Sequence, residues 1–90
     1  MKPIKLNFMK ANKTFVCHLV KLENDNEFLV QYNVNNTDFL MSFFIESDIA
    51  INKRHIENID ELKTVEKIED AHTYFDLIEK DLIEICKKRF

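Results

Sequence analysis

The side chains in this sequence best suited to chemistry are three histidines and two cysteines, and their spacing argues against a shared site. Cys17 and His18 are adjacent in a predicted strand, so their side chains point to opposite faces. We place His55 in a solvated turn and His72 beside the apolar stripe of a predicted helix. No His or Cys lies three or four positions from another, which is the spacing of a helical zinc pair. We therefore predict no metal site.

The remaining candidates for catalysis are carboxylates and two serines. The acidic residues of the last third of the chain recur on a predicted helix, where such a run is typical of a solvated face. Ser42 and Ser47 lack the flanking glycines of a nucleophile elbow. The chain contains no glycine, so neither a P-loop nor a dinucleotide fingerprint is present. We predict that the protein is not an enzyme and binds no cofactor.

The lysines and phenylalanines of the first half favour a binding function in place of catalysis. The first 22 residues contain five lysines and no acidic residue, whereas the other 68 carry 8 basic and 16 acidic groups. Cations with nearby rings are the two ingredients of single-strand nucleic-acid binding. The candidate residues are Lys5, Lys10, Lys13 and Lys21, with Phe8, Phe15 and Phe44 near them. The alternative is that a basic sheet edge and an acidic helix neutralise each other within one fold.

Length and composition limit the architecture. Ninety residues with 46% hydrophobic content predict a single domain, residues 1–90. The apolar runs are far shorter than the roughly 20 residues of a membrane span, and the N-terminus has no signal-peptide pattern. Two distant cysteines, Cys17 and Cys86, are expected to be reduced thiols in a soluble cytoplasmic protein.

Asparagine and aspartate must form the turns, because their side chains tolerate a positive φ almost as glycine does. Three such turns, Ala11-Asn12, Asn24-Asp25-Asn26 and Asn35-Asn36, separate four predicted strands at 4–9, 14–22, 28–34 and 38–45. This pattern predicts a β-meander. A short fifth strand is placed near residues 55–59.

The hairpin of the third and fourth strands has a defined register. A two-residue turn at Asn35-Asn36 places three apolar pairs on one face, and a slip of one residue would move all of them to the other face. The residues predicted to face the helix are Phe28, Val30, Tyr32, Phe39, Met41 and Phe43.

The second strand allows two orientations. Two-residue turns on both sides would place Phe15, Cys17, Leu19 and Lys21 on the helix-side face, and three-residue turns would place Val16, His18, Val20 and Leu22 there. We favour the second orientation, because a buried neutral His18 bonded to Tyr32 costs less free energy than a buried lysine.

The acidic half ends in a predicted helix, at about residues 64–88. Its apolar residues recur at intervals of three and four, which is a helical stripe; they are Ile68, Ala71, Phe75, Ile78, Leu82 and Ile85. The fold class is therefore α+β: an antiparallel sheet of four to five strands in a meander, followed by one long C-terminal helix packed on one face.

One helix leaves the second face of this sheet uncovered. The segment 38–46, DFLMSFFIE, is apolar on both faces, and the predicted outer patch consists of Phe15, Leu19, Leu29, Leu40 and Phe44. Three explanations stay open: residues 47–63 fold across this face, a partner covers it, or it holds a ligand pocket. We favour a protein-interaction module, a homodimer or an adaptor or inhibitor that docks a protein partner, over nucleic-acid binding.

Overall fold

The computed structural model describes residues 2–56 and 65–90, and the side chains of 2–56 and 67–90. Five strands form one antiparallel sheet in the order β1-β2-β3-β4-β5, and a helix follows. The elements are β1 Ile4–Lys10, β2 Lys13–Lys21, β3 Glu27–Val34, β4 Thr37–Glu46, β5 Ile49–His55 and α1 Val65–Arg89. The predicted α+β meander with one C-terminal helix on the sheet is confirmed.

Tight turns without glycine connect the strands. The two central residues have positive φ in the β1–β2 turn (Ala11 50°, Asn12 61°) and in the β3–β4 turn (Asn35 52°, Asn36 64°). This is the type I′ pattern, whose twist matches that of the flanking strands. A third turn of the same kind, Ser47-Asp48, joins β4 to β5 with φ of 50° and 69°, and it is not among the turns predicted above.

The predicted register of β3 and β4 is confirmed. Tyr32 pairs with Phe39, Val30 with Met41 and Phe28 with Phe43, and all six are buried. The Tyr32 hydroxyl donates a hydrogen bond of 2.5 Å to the main-chain oxygen of Ala71 on α1. The centre of the sheet is thereby tied to the helix.

The favoured orientation of the second strand is wrong. Phe15, Cys17 and Leu19 are fully buried on the helix side, and Val16, His18 and Val20 lie on the outer face. The β2–β3 loop comprises residues 23–26, bounded by the bond from Leu22 N to Glu27 O, and a loop of even length gives the same alternation as a two-residue turn. The expected cost of burying Lys21 does not arise. The residue ends its strand, and its ammonium group donates to the carbonyl oxygens of Leu22 and Asn24.

The fifth strand begins earlier than predicted. It runs from Ile49 to His55 directly after the Ser47-Asp48 turn, and most of the predicted 55–59 segment lies outside the described residues. A β-bulge interrupts β5, because Ser42 pairs with Arg54 while Phe44 pairs with Ile51. Asn52 within the bulge has a φ of 52°. The extra residue reverses the alternation, so Lys53 points to the helix and Arg54 to the outer face.

The helix covers the inner face of the sheet with the predicted stripe. Ala71, Phe75, Ile78 and Leu82 are fully buried, and Ile85 is partly buried against the same core. The Phe75 ring meets Phe43 edge-on, with the centroids 5.1 Å apart. At the C-terminal end, Lys88 pairs with Glu84, four residues earlier in the helix, at 3.0 Å.

Candidate protein-interaction surface

The outer face of the sheet is formed by every second residue of each strand, and no described element packs on it. Six of its apolar side chains are half-buried by their neighbours in the sheet: Val16, Val20, Leu29, Leu40, Phe44 and Ile51. Met9 and Ile49 at its margins are exposed. Polar side chains such as His18, Gln31 and Ser42 lie between them. This mixture occurs both in interfaces between proteins that also exist separately and on ordinary protein surface.

The structure divides the five predicted interface residues between the two faces. Leu29, Leu40 and Phe44 lie on the outer face as expected. Phe15 and Leu19 do not: both are 0% exposed beneath the helix, so their assignment to an outer patch is wrong. Both residues were misassigned because the predicted orientation of β2 is wrong. Val16 and Val20 take their place, and the alternation of apolar residues in β2 could not reveal this because both of its faces are apolar.

Phe44 lies beside a groove at the β5 bulge. The groove has a volume of about 560 Å³ and is lined by Glu27, Ser42, Phe44, Asn52, Lys53 and Arg54. Phe44 pairs with Glu27 on one side and with Ile51 on the other. An aromatic ring, a carboxylate and a guanidinium group therefore line one open depression. Such a depression suits a partner side chain better than an enclosed ligand.

The four lysines of the nucleic-acid hypothesis do not share a face. Lys5 is exposed on the outer face, whereas Lys10, Lys13 and Lys21 occupy helix-side positions. Lys10 forms an ion pair of 2.9 Å with Asp81 of the helix. Phe8 and Phe15 also lie on the helix side. The arrangement therefore does not combine these cations and rings on one open surface.

Other ion pairs also join the sheet and its turns to the helix. Lys53 contacts Asp76 and Glu79 at 3.3 Å each and lies 5.8 Å from the centroid of the Phe75 ring. Burial lowers the pKa of Lys53, but its bonds to Glu79 and Asp76 outweigh this and leave the pKa above its ordinary value. Lys87 pairs with Asp48. These contacts support the interpretation that sheet and helix neutralise each other.

The histidines and cysteines are dispersed as expected, with one difference. His55 lies on β5 and is half-buried, with its ring 6.2 Å from that of Phe39, so its placement in a solvated turn is wrong. Both cysteines are free and buried, and burial raises the pKa of each thiol to about 12. Such thiols stay protonated at neutral pH and are poor nucleophiles. Among the described residues, no three His, Cys, Asp or Glu side chains form a group able to hold a metal ion.

Comparison with known proteins gives no match to a family model, to a curated protein or to a solved structure. Among the described residues, no helix is long and apolar enough to cross a membrane.

Proposed function

We propose that this chain is a small, non-catalytic interaction module that associates with a second copy of itself through the outer face of the sheet. The observation that carries the proposal is the row of Leu29, Leu40 and Phe44 on a face that no described element covers. A twofold pairing needs only one self-complementary patch, so a second copy is the simplest occupant.

Charge on this face supports pairing of identical copies. Glu27 and Arg54 both line the groove beside Phe44, so one surface presents both signs. In a twofold arrangement, Glu27 of one copy can face Arg54 of the other, and Phe44 can enter the partner's groove. Opposite charges at an interface fix its register more than they add affinity.

The size of the face predicts the strength of the association. Five strands spaced about 4.8 Å apart, each with about seven residues at 3.4 Å, give a face of roughly 550 Å². Two such faces would bury roughly 1,100 Å² in total, which is at the low end of specific interfaces. A weak, concentration-dependent association is therefore expected for this contact alone.

The experiment is to measure the molar mass of the Phe44→Lys variant by sedimentation. A charge in place of this ring should at least halve the mass of the assembly and leave the circular dichroism spectrum unchanged. Leu77→Lys is the matched control, because Leu77 is an apolar side chain of the helix that is 38% exposed. A wild type that sediments at the single-chain mass of 10.8 kDa at about 100 µM would refute the proposal.

Nucleic-acid binding can be tested on the same proteins. We expect no binding of mixed-sequence single-stranded DNA at about 50 mM salt. Binding that weakens steeply with salt and is lost in Lys5→Glu would favour that alternative instead. Two buried free thiols support the expectation of a reducing, cytoplasmic location.

A further inference from the structure

The edges of the sheet differ in how open they are to another strand. In the described part of the chain, β1 and β5 each have a single neighbouring strand. Both edges carry basic residues, Lys53 and Arg54 on β5 and Lys5 and Lys10 on β1. Only β5 is interrupted by a bulge, at Asn52, which protects an edge against pairing. β1 runs without a bulge through seven residues, with seven consecutive pairs to β2. It is therefore the edge more open to strand addition.

The main-chain groups of β1 that point away from β2 can be identified from the turn. Lys10 and Lys13 flank the type I′ turn and form its hydrogen-bonded pair. Because hydrogen-bonded and non-hydrogen-bonded pairs alternate, Lys5, Asn7 and Met9 direct their N–H and C=O groups to the open edge. Their side chains are exposed on the outer face, and Met9 is 74% exposed.

We infer that β1 pairs with β1 of a second copy, antiparallel and centred on Asn7. In this register Asn7 lies opposite Asn7 of the partner, and Lys5 lies opposite the partner's Met9. All of the outward main-chain groups of these three residues are then paired. No lysine faces a lysine directly, so the basic character of this edge does not oppose the contact.

The side chains on the helix side support the same register. Ile4, Leu6 and Phe8 are only partly buried at the margin of the core. In the centred pairing, Leu6 lies opposite the partner's Phe8, and Phe8 opposite the partner's Leu6. The two cores would then become continuous across the joined edge, which buries the margin that a single chain leaves half-exposed.

Edge pairing would also strengthen the contact proposed between outer faces. Two joined sheets form a ten-stranded sheet, whose outer face is roughly twice the 550 Å² of one chain. The twofold axis that relates two chains joined at their edges is perpendicular to the sheet. The twofold axis that relates two chains packed face to face lies parallel to the sheet. Two perpendicular twofold axes close an assembly of four chains. The edge contact stands on its own geometry, and only this four-chain assembly rests on the proposed function.

The first test uses the fact that residue 7 faces itself. Asn7→Lys and Asn7→Glu each place like charges opposite each other, so each should weaken the edge contact at least about tenfold. An equimolar mixture of the two variants should restore the contact, because lysine then faces glutamate. Thr73→Lys, on the exposed side of the helix, is the control for added charge and should leave the sedimentation mass unchanged.

Sedimentation masses distinguish this inference from the proposed function. If both contacts form, the wild type contains four chains, Phe44→Lys and Asn7→Lys two each, and the double variant one. An assembly that Phe44→Lys leaves intact but Asn7→Lys dissociates would support the edge and refute the face. The edge inference would be overturned if Asn7→Lys left the mass of the assembly unchanged. It would also be overturned if the Asn7→Lys and Asn7→Glu variants both folded but did not associate when mixed. Either result would indicate that β1 pairs with something other than a second β1.

Amide hydrogen exchange of the wild type tests the edge contact without any substitution. The amide protons of Lys5, Asn7 and Met9 should exchange slowly at high protein concentration and rapidly after dilution, because they are hydrogen-bonded only in the pair. Rapid exchange of all three amides at a concentration where the protein is assembled would overturn the inference.

Discussion

The two faces of the sheet are built from alternate residues of the same strands, yet they differ in what surrounds them. On the helix side, large side chains such as Phe15, Tyr32 and Phe43 are fully buried against α1. On the outer side, Phe44 and Leu40 are half-buried and lie among polar residues. Apolar residues in a strand therefore do not by themselves indicate a core. The position of α1 decides which face becomes one.

Electrostatics separates the faces in the same way. The groups with shifted pKa values, Cys17, Tyr32, Lys53 and Cys86, belong to the helix-side core or its margin. Burial is the first cause for the thiols and the phenol, since it disfavours their charged forms. The two thiols and the phenol of the helix side therefore stay neutral at neutral pH, and the outer face carries charges of both signs.

Two adjacent phenylalanines give the sharpest test of this difference. Phe43→Ala should lower the free energy of unfolding by about 3–5 kcal/mol, because it leaves a cavity between the sheet and Phe75. Phe44→Ala should cost about 1 kcal/mol or less when measured at high dilution, where association does not contribute. Urea unfolding followed by circular dichroism measures both. Equal losses would show that the outer face is as well packed as the inner one.

Alkaline pH should lower the stability of the fold through the two buried thiols of the helix side. The thiols of Cys17 and Cys86 ionise near pH 9.0 in the unfolded chain and at about 12 in the folded one. Between these values the unfolded state binds fewer protons, so stability is complete below pH 9 and falls as the pH rises. The loss at about pH 10 should be about 1.4 kcal/mol for each thiol.

Urea unfolding at several pH values between about 8 and 11 measures this dependence. The Cys17→Ala, Cys86→Ala double variant is the control, and its stability should fall less over the same range. A double variant with the same pH dependence as the wild type would show that the two thiols are not responsible.

The smallest expected effect concerns the β1–β2 turn, which belongs to neither face. Ala11 has a φ of 50°, a conformation that costs an alanine on the order of 1 kcal/mol and glycine almost nothing. Ala11→Gly should therefore raise the free energy of unfolding by about 0.5–1 kcal/mol. Sedimentation should show no change in mass. A change in mass would indicate that the turn, and not only β1, takes part in association.

Local patterns in the sequence predicted much of this fold. The Asn35-Asn36 turn fixes the register of β3 on β4, because a two-residue turn there allows one pairing. In that pairing Phe28, Val30 and Tyr32 lie opposite the apolar residues of β4. The stripe from Ala71 to Leu82 predicted the helix and its buried side. Both signals depend on residues that are near each other in the chain, so no tertiary information is needed to interpret them.

Three-dimensional packing decided the rest. The number of residues in the β2–β3 loop sets which side of β2 is buried, and the Asn-Asp-Asn sequence is compatible with loops of odd or even length. The bulge at Asn52 reverses the alternation of β5 and brings Lys53 to Asp76 and Glu79, residues that are distant in the chain. The outer face is the one on which none of the described elements packs. The sequence determined which residues alternate, and only the tertiary structure determined which face the helix leaves open, because burial depends on contacts between distant parts of the chain.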